Sequence, residues 1–247
     1  MTTPPAGAPT HLVLLHGALG ARAQLVPLLA PLVERSGGSL HVHAPELVGH
    51  GETPDVEGRP FRIERFADDV AAFLDGRGVE RAAFFGYSMG GYVALHLAAE
   101  RPERVAAVAT LGTKFVWDPA TAEREAARLD PVTIRAGVPR FADALAARHA
   151  GTTGGWEGVL ARTAGLLRAL GERPLLTPDV LSRIAPPVRV MVGDRDATVS
   201  VEESAAVARA LPKGELAVLP GTPHPLEQIG VERLARELTD FVDASSA

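Results

Sequence analysis

Apolar residues follow two patterns along the chain, short continuous runs and longer runs with helical spacing. Continuous apolar runs are typical of strands that are buried on both faces of a parallel sheet. Six such runs predict strands at residues 11–15, 39–44, 81–85, 105–111, 188–192 and 215–219. Apolar residues three and four positions apart predict helices at 23–35, 61–76, 92–100, 201–211 and 226–242. This alternation predicts an α/β fold with a mostly parallel sheet of about six strands, flanked by helices.

The alternation stops after the fourth predicted strand. Between residues 113 and 186 there is no apolar strand run, and helical patterns are separated by Gly and Pro. We therefore expect a helical cap over 113–186, inserted into a core formed by 1–112 and 187–247. A Pro-rich tail (1–9) precedes the first strand, and a loop rich in Gly and Pro (45–60) follows the second.

Composition narrows the class of protein. The 247 residues suffice for one large α/β domain. With 25 basic and 30 acidic residues the net charge is −5, and there is no basic run, so we expect no nucleic-acid partner. The chain has no cysteine, which excludes disulfides and thiolate nucleophiles.

Further expectations concern localisation and ligands. The tail 1–9 lacks a signal-peptide pattern, and no apolar run is long enough to span a bilayer, so we expect a cytoplasmic protein without a membrane span. No spacing of histidines and carboxylates suits a metal, so we expect no metal and no cofactor. The expected partner is a small-molecule substrate, and the oligomeric state is left open.

A serine lies between the third predicted strand and the following helix, in the stretch Gly86-Tyr87-Ser88-Met89-Gly90-Gly91. Small residues two positions away on either side are needed where a strand turns sharply into a helix. The helix behind such a turn offers unpaired N–H groups to a developing negative charge. This G-x-S-x-G turn resembles the nucleophile elbow of the α/β-hydrolase family, and the resemblance implies that Ser88 is a nucleophile.

The resemblance also implies the partners of the serine, which in this family follow it in the order acid, then histidine. Asp196 matches the family pattern G-x-x-D-x-x-V after the fifth strand, and Asp194 is the alternative acid. Either aspartate could instead be a turn residue that accepts local N–H bonds. His224, after the sixth strand, occupies the position of the family's base.

The other histidines are assigned structural roles. His41 and His43 are predicted on a buried strand, His96 on the elbow helix and His149 at the surface of the cap. His50 matches a family loop motif that shapes the backbone.

Acyl transfer also requires two hydrogen-bond donors for the oxyanion. The resemblance implies that the backbone N–H of Met89 is one donor. The other is expected in the loop after the first strand, where His16 and Gly17 match the family's HG motif. Ala18 is the predicted second donor, with Leu19 as the alternative.

Apolar residues near these loops provide candidates for substrate binding. The candidates are Leu19, Phe115, Trp117, Leu145 and Leu166. Apolar cap residues could equally pack the cap against the sheet. Because few polar candidates lie over the site, we expect a small to medium, largely apolar carboxylic ester as substrate.

Two other functions use the same fold. The same triad can hydrolyse a C–C bond or support an elimination, as in a menaquinone-pathway enzyme whose elbow is similar, although that enzyme has Arg where this chain has Tyr92. Small-molecule receptors also keep this fold and sometimes the triad. Ser88 excludes dehalogenase and epoxide hydrolase chemistry, which uses an aspartate nucleophile in this family.

Overall fold

The computed structural model describes residues 10–56 and 61–246. Within these residues, six strands form one sheet. They are β1 (Thr10–Leu15), β2 (Leu40–His43), β3 (Ala82–Tyr87), β4 (Val105–Leu111), β5 (Val188–Gly193) and β6 (Gly214–Leu219). The predicted Pro-rich tail (1–9) and the last part of the predicted loop (57–60) lie outside the described residues.

All neighbouring strands in the sheet are parallel, in the order β2-β1-β3-β4-β5-β6. This confirms the predicted sheet. The chain moves outward from β1 to β2 and then returns to place β3 on the other side of β1. In open α/β sheets, ligand sites lie beyond the carboxyl ends of the strands where the order reverses in this way. The loops after β1 and β3 therefore lie next to each other, beyond the carboxyl ends of these neighbouring strands.

Helices cover both faces of the sheet and fill the interval between β4 and β5. They are α1 (Val26–Arg35), α2 (Ile63–Asp75), α3 (Met89–Glu100), α4 (Pro119–Ala127), α5 (Pro131–Gly137), α6 (Pro139–Arg148), α7 (Gly155–Glu172), α8 (Pro178–Leu181), α9 (Val201–Ala210) and α10 (Val231–Ser246). The last helix begins later than predicted, because Leu226–Gln228 forms a separate 3₁₀ turn.

The core lies on both sides of the sheet because successive side chains of each strand point to opposite faces. Val13 and Leu15 of β1 pack with α2, α3 and α9. Leu12 and Leu14 pack on the other face with α1 and α10. Four continuous apolar residues of β1 are thus fully buried, as the uninterrupted run predicted.

The expectation for the second strand is wrong at its histidines. Because β2 is an edge strand, no strand of the described residues pairs with its outer side, and His41 is exposed while His43 is half-buried.

The segment between β4 and β5 contains only helices α4–α8, and we call residues 113–186 the helical insert. It has a small apolar cluster of its own, formed by Ile134, Ala142, Leu145, Trp156 and Leu160. The division into a core and a cap domain stays a prediction. In the part of the chain that the structure describes, no helix combines the length and apolar character needed to cross a membrane.

Candidate active site

The turn between β3 and α3 holds Ser88 in an unusual backbone conformation. Its φ is 51° and its ψ is −118°, and it is the one non-glycine residue of the described ranges with a positive φ. Such a conformation costs on the order of 1–3 kcal/mol, so the surroundings must stabilise it. The N–H of Ser88 donates to Leu111 O at 2.8 Å, and its carbonyl accepts from Thr113 Oγ1 at 2.9 Å. The turn is therefore held from both ends by the chain at the end of β4.

The backbone around this turn is too close for side chains at two positions. A Cβ at Gly86 would lie 2.2 Å from the backbone nitrogen of Gly91, and a Cβ at Gly90 would lie 2.3 Å from the carbonyl oxygen of Leu15. Glycine is therefore required at both positions. The second contact also shows that the elbow packs directly against the end of β1.

His224 and Asp196 meet from the loops after β6 and β5. Nδ1 of His224 lies 2.7 Å from Oδ2 of Asp196, while Oδ1 accepts the N–H groups of Thr198 and Val199 at 2.8 and 2.9 Å. Burial acts to raise the pKa of Asp196, but the bond with His224 and the two backbone donors outweigh it and lower the pKa. The ionised carboxylate keeps a proton on Nδ1, so Nε2 is left to accept one.

The alternative acid, Asp194, has a different environment. It is exposed, and its carboxylate accepts the N–H of Thr222 at 3.2 Å. The structure thus places Asp196, and not Asp194, against the imidazole of His224.

Tyr87 contacts both the backbone and the ring of His224. Its hydroxyl donates to the carbonyl oxygen of His224 at 3.0 Å, and the centres of the two rings are 5.5 Å apart. Burial, followed by the charge of Glu227, raises the pKa of Tyr87, so the phenol stays protonated and remains a donor. The sequence analysis missed this role because the two residues are 137 positions apart.

The loop after β1 forms a tight turn in which Gly20 N donates to Gly17 O at 3.0 Å. Neither the Ala18 N–H nor the Leu19 N–H donates to a protein acceptor within the described ranges. Met89 is the first residue of α3, so its N–H has no partner inside the helix. All three amides are available to an anionic group, and the choice between Ala18 and Leu19 stays open.

Ser88 and His224 line one cavity of about 380 Å³. Ala18 and Met89 also line it, as do three of the predicted substrate-binding residues, Leu19, Trp117 and Leu166. The structure therefore brings the candidate nucleophile, base and amide donors to the wall of one space.

Phe115 and Leu145, in contrast to the prediction, do not line this cavity. Phe115 is 4% exposed and stacks on Tyr92 within the core, because Glu203 of α9 accepts its N–H at 2.6 Å and holds the chain there. Leu145 is 1% exposed and packs in the apolar cluster of the helical insert. Both side chains serve packing, which is the alternative that the sequence left open.

The cavity wall is mostly apolar, as expected, but several charged side chains also line it. Each charge has a partner of opposite sign. The pairs are Lys114 with Glu203, Arg128 with Glu125 and Arg148 with Glu227, at 3.4, 2.8 and 3.3 Å. Two of these pairs join distant parts of the chain, so no local spacing could have indicated them.

His149 corrects another expectation. It was predicted at the surface of the cap, but it is fully buried and contacts the loop after β1. Within residues 10–56 and 61–246, no three His, Asp or Glu side chains are arranged to hold a metal ion. That the protein uses no cofactor stays a prediction.

The chain is similar in sequence to several known proteins. Lipase LipV of Mycobacterium tuberculosis is 36% identical over 118 residues, which cover 48% of this chain and 42% of the lipase. The chain thus spans less than half the length of this relative. The magnesium-chelatase 30 kDa subunit of Rhodobacter capsulatus is 30% identical over 261 residues, covering 98% of this chain and 89% of that protein.

The same fold is found in a solved structure. An esterase from Thermogutta terrifontis superposes with a TM-score of 0.74 at 25% identity, over 98% of this chain and 92% of that one. A family model described as the alpha/beta hydrolase fold matches residues 10–157. Because that match covers more than half of the chain and includes the elbow, the protein belongs to the α/β-hydrolase family.

Proposed function

We propose that the protein is a serine hydrolase that cleaves a small to medium, largely apolar carboxylic ester. The observation that carries this proposal is the 2.7 Å bond between His224 and Asp196, on a histidine that shares a cavity with the strained Ser88. A serine hydroxyl needs a base beside it and a third group to orient that base, and we assign these two roles to His224 and Asp196. The lipase and esterase names of two similar proteins support the same reaction.

In the proposed reaction, Oγ of Ser88 attacks the ester carbonyl carbon while Nε2 of His224 takes the hydroxyl proton. Asp196 stabilises the resulting imidazolium through Nδ1. The oxyanion accepts hydrogen bonds from Met89 N–H and from Ala18 N–H, with Leu19 N–H as the alternative. Collapse of the tetrahedral intermediate releases the alcohol, which receives the proton from His224. Water then hydrolyses the acyl-enzyme by the same steps and regenerates the serine.

The cavity limits the substrate. Its volume of about 380 Å³ lies at the small end of ligand pockets, and Trp117, Leu166 and Leu167 form part of its wall. Each charged wall residue is paired with a residue of opposite charge, so an acyl group that carries no charge fits the cavity best.

The test treats the protein with a fluorophosphonate and with p-nitrophenyl esters of increasing acyl length, using Ser88→Ala as the control. We expect labelling of the wild-type serine together with fast turnover of short to medium esters, and neither with Ser88→Ala.

Two other outcomes would redirect the proposal. Labelling without turnover of any ester would contradict ester hydrolysis and favour C–C bond hydrolysis or elimination through the same residues. Absence of labelling would favour a binding role.

A further inference from the structure

Three histidines hold the turn at residues 17–20, which is the proposed source of the second oxyanion donor. They come from three separate parts of the chain, and each is fully buried. The contacts are His16 Nδ1 to Gly17 O at 2.9 Å, His50 Nε2 to Ala18 O at 2.6 Å and His149 Nε2 to Leu19 O at 3.1 Å. Three successive carbonyl groups of the turn thus each contact a histidine.

The consequence for the amides follows from peptide geometry. In a trans peptide the C=O and the next N–H point in opposite directions, and no peptide bond in the described ranges is cis. Carbonyls 17 and 18 face His16 and His50, so the N–H groups of Ala18 and Leu19 face the other way. The carbonyl of Leu19 and the N–H of Gly20 belong to the same peptide group, and this N–H closes the turn by donating to Gly17 O. A contact that holds the Leu19 carbonyl therefore also orients the N–H that closes the turn.

His149 belongs to the helical insert and not to the sheet. Its Nδ1 accepts the N–H of Gly51 at 3.0 Å. Burial lowers the pKa of His149, so the ring is neutral at pH 7 and has one N–H. Since Nδ1 is occupied as an acceptor, that N–H is on Nε2 and is donated to Leu19 O.

Arg148, the neighbouring residue at the end of α6, makes a second contact with the same carbonyl. Its Nη1 donates to Leu19 O at 2.8 Å, and its Nη2 lies 3.3 Å from Oε1 of Glu227. Glu227 is three residues beyond His224. Arg148 therefore links the turn at 17–20 to the loop that carries the proposed base.

The insert approaches the core closely at this point. A Cβ at Gly151 would lie 2.9 Å from Cα of Glu52, so the two backbones are in direct contact. Such contact leaves little freedom for the neighbouring side chains of the insert to move away from the turn.

We propose that Arg148 and His149 are positioning residues, which fix the turn that supplies the second oxyanion donor by holding the carbonyl of Leu19. The helical insert then completes the oxyanion site in addition to forming part of the cavity wall. This inference rests on the proposed ester hydrolysis, and it goes beyond it by giving the insert a part in stabilising the transition state.

The experiment compares His149→Phe, which keeps a planar ring but removes both polar contacts, with His149→Gln, which retains an N–H donor. His96→Phe is the matched control, since His96 is also buried but lies on α3 away from the turn. Each variant is measured with a p-nitrophenyl ester. Inhibition by a trifluoromethyl ketone, which forms an oxyanion on the serine, is compared with binding of the corresponding methyl ketone.

We expect His149→Phe to lower kcat about 10- to 100-fold with KM changed less than about twofold, because a displaced donor is lost in the transition state. The inhibition constant of the trifluoromethyl ketone should rise by the same factor, while binding of the methyl ketone is unchanged. His149→Gln should recover part of the loss. Arg148→Met should lower kcat about three- to tenfold, since His149 still donates.

Two results would overturn the inference. One is an unchanged kcat and inhibition constant in folded His149→Phe, or in Arg148→Met if His149→Phe does not fold. The other is an equal loss in His96→Phe. In both cases, turnover of the ester by the wild-type protein would still support ester hydrolysis. If the wild-type protein neither cleaves any ester nor binds the trifluoromethyl ketone, the proposed function is contradicted, and this inference is contradicted with it.

Discussion

Replacing Asp196 by Asn tests the arrangement of the proposed triad most directly, because the structure fixes which way the new amide must point. Oδ1 of Asp196 accepts the N–H groups of Thr198 and Val199, while Oδ2 accepts from His224. An Asn has only one side-chain oxygen. Leaving two backbone donors unpaired would cost about 1–3 kcal/mol each, so the amide oxygen takes the Oδ1 position.

The amide NH₂ of the variant then faces His224. It donates to Nδ1 and moves the imidazole proton to Nε2, where it blocks transfer from Ser88. A triad with the wrong tautomer typically loses about 10⁴-fold in kcat, which is about 5.5 kcal/mol. Because the substrate does not contact Asp196 in the proposed mechanism, KM should change little.

Asp194→Asn is the matched control. Its carboxylate accepts one N–H, from Thr222, and an amide oxygen can replace it. Steady-state hydrolysis of one p-nitrophenyl ester, with Ser88→Ala for background, measures all three variants. The reasoning is refuted if Asp196→Asn keeps more than about a tenth of wild-type kcat, or if Asp194→Asn is the slower enzyme.

The same substitution has a stability signature. The pKa of Asp196 is below its ordinary value of 3.8, so the ionised carboxylate stabilises the fold at neutral pH. That contribution is lost as the pH falls through the lowered pKa, since the unfolded chain takes up the proton first. Unfolding in urea should therefore depend less on pH below about 4 in Asp196→Asn than in the wild type. A slope equal to that of the wild type would contradict the assignment.

Three further perturbations test the elbow, the cavity and the sheet edge. Gly86→Ala places a Cβ 2.2 Å from a backbone nitrogen and should destabilise the folded protein by about 3 kcal/mol or more. Gly165→Ala, in open space on α7, should stabilise it by up to about 1 kcal/mol, and thermal unfolding measures both changes. Leu167→Trp narrows the cavity. If the larger side chain keeps two methylene groups of the acyl chain out of the cavity, the lost burial is worth about 1.6 kcal/mol, and kcat/KM for a medium-length ester should fall about 15-fold relative to that for the acetate ester. At the edge, burial and then neighbouring histidines lower the pKa values of His11 and His43, whose nitrogens are 3.0 Å apart. The contribution of this histidine pair to the free energy of unfolding should thus be fully present above pH 6.5 and be lost as the pH falls below it. The loss should be less steep in His43→Asn, and urea unfolding at about pH 5 to 7.5 would measure it.

Each of these expectations can fail clearly. Equal melting temperatures for Gly86→Ala and the wild type would contradict the close contact at the elbow. An unchanged chain-length preference in Leu167→Trp would mean that the acyl group does not reach that wall. A pH profile of His43→Asn identical to that of the wild type would show that the paired imidazoles do not limit acid stability.

The sequence by itself determined the order of elements and the identity of the elbow. The run Leu12–Leu15 can be satisfied only by burial on two faces, and the structure buries it on both sides of β1. At Ser88 the strand, the helix and the flanking glycines lie within a few residues, so local spacing was sufficient. The same reasoning failed at His41, because periodicity does not show whether a strand lies at the edge of a sheet.

Only the tertiary structure decided how the parts of the site meet. Asp196 and Asp194 are two residues apart in similar sequence surroundings, and the direction of the loop after β5 selects the one that contacts His224. The contact between His149 and Leu19 joins residues 130 positions apart. Hydrophobic periodicity reports which face of an element is buried, a local property. Contacts between loops depend instead on the order of the strands in the sheet and on the position of the helical insert against the core, which bring together segments that are distant in the sequence.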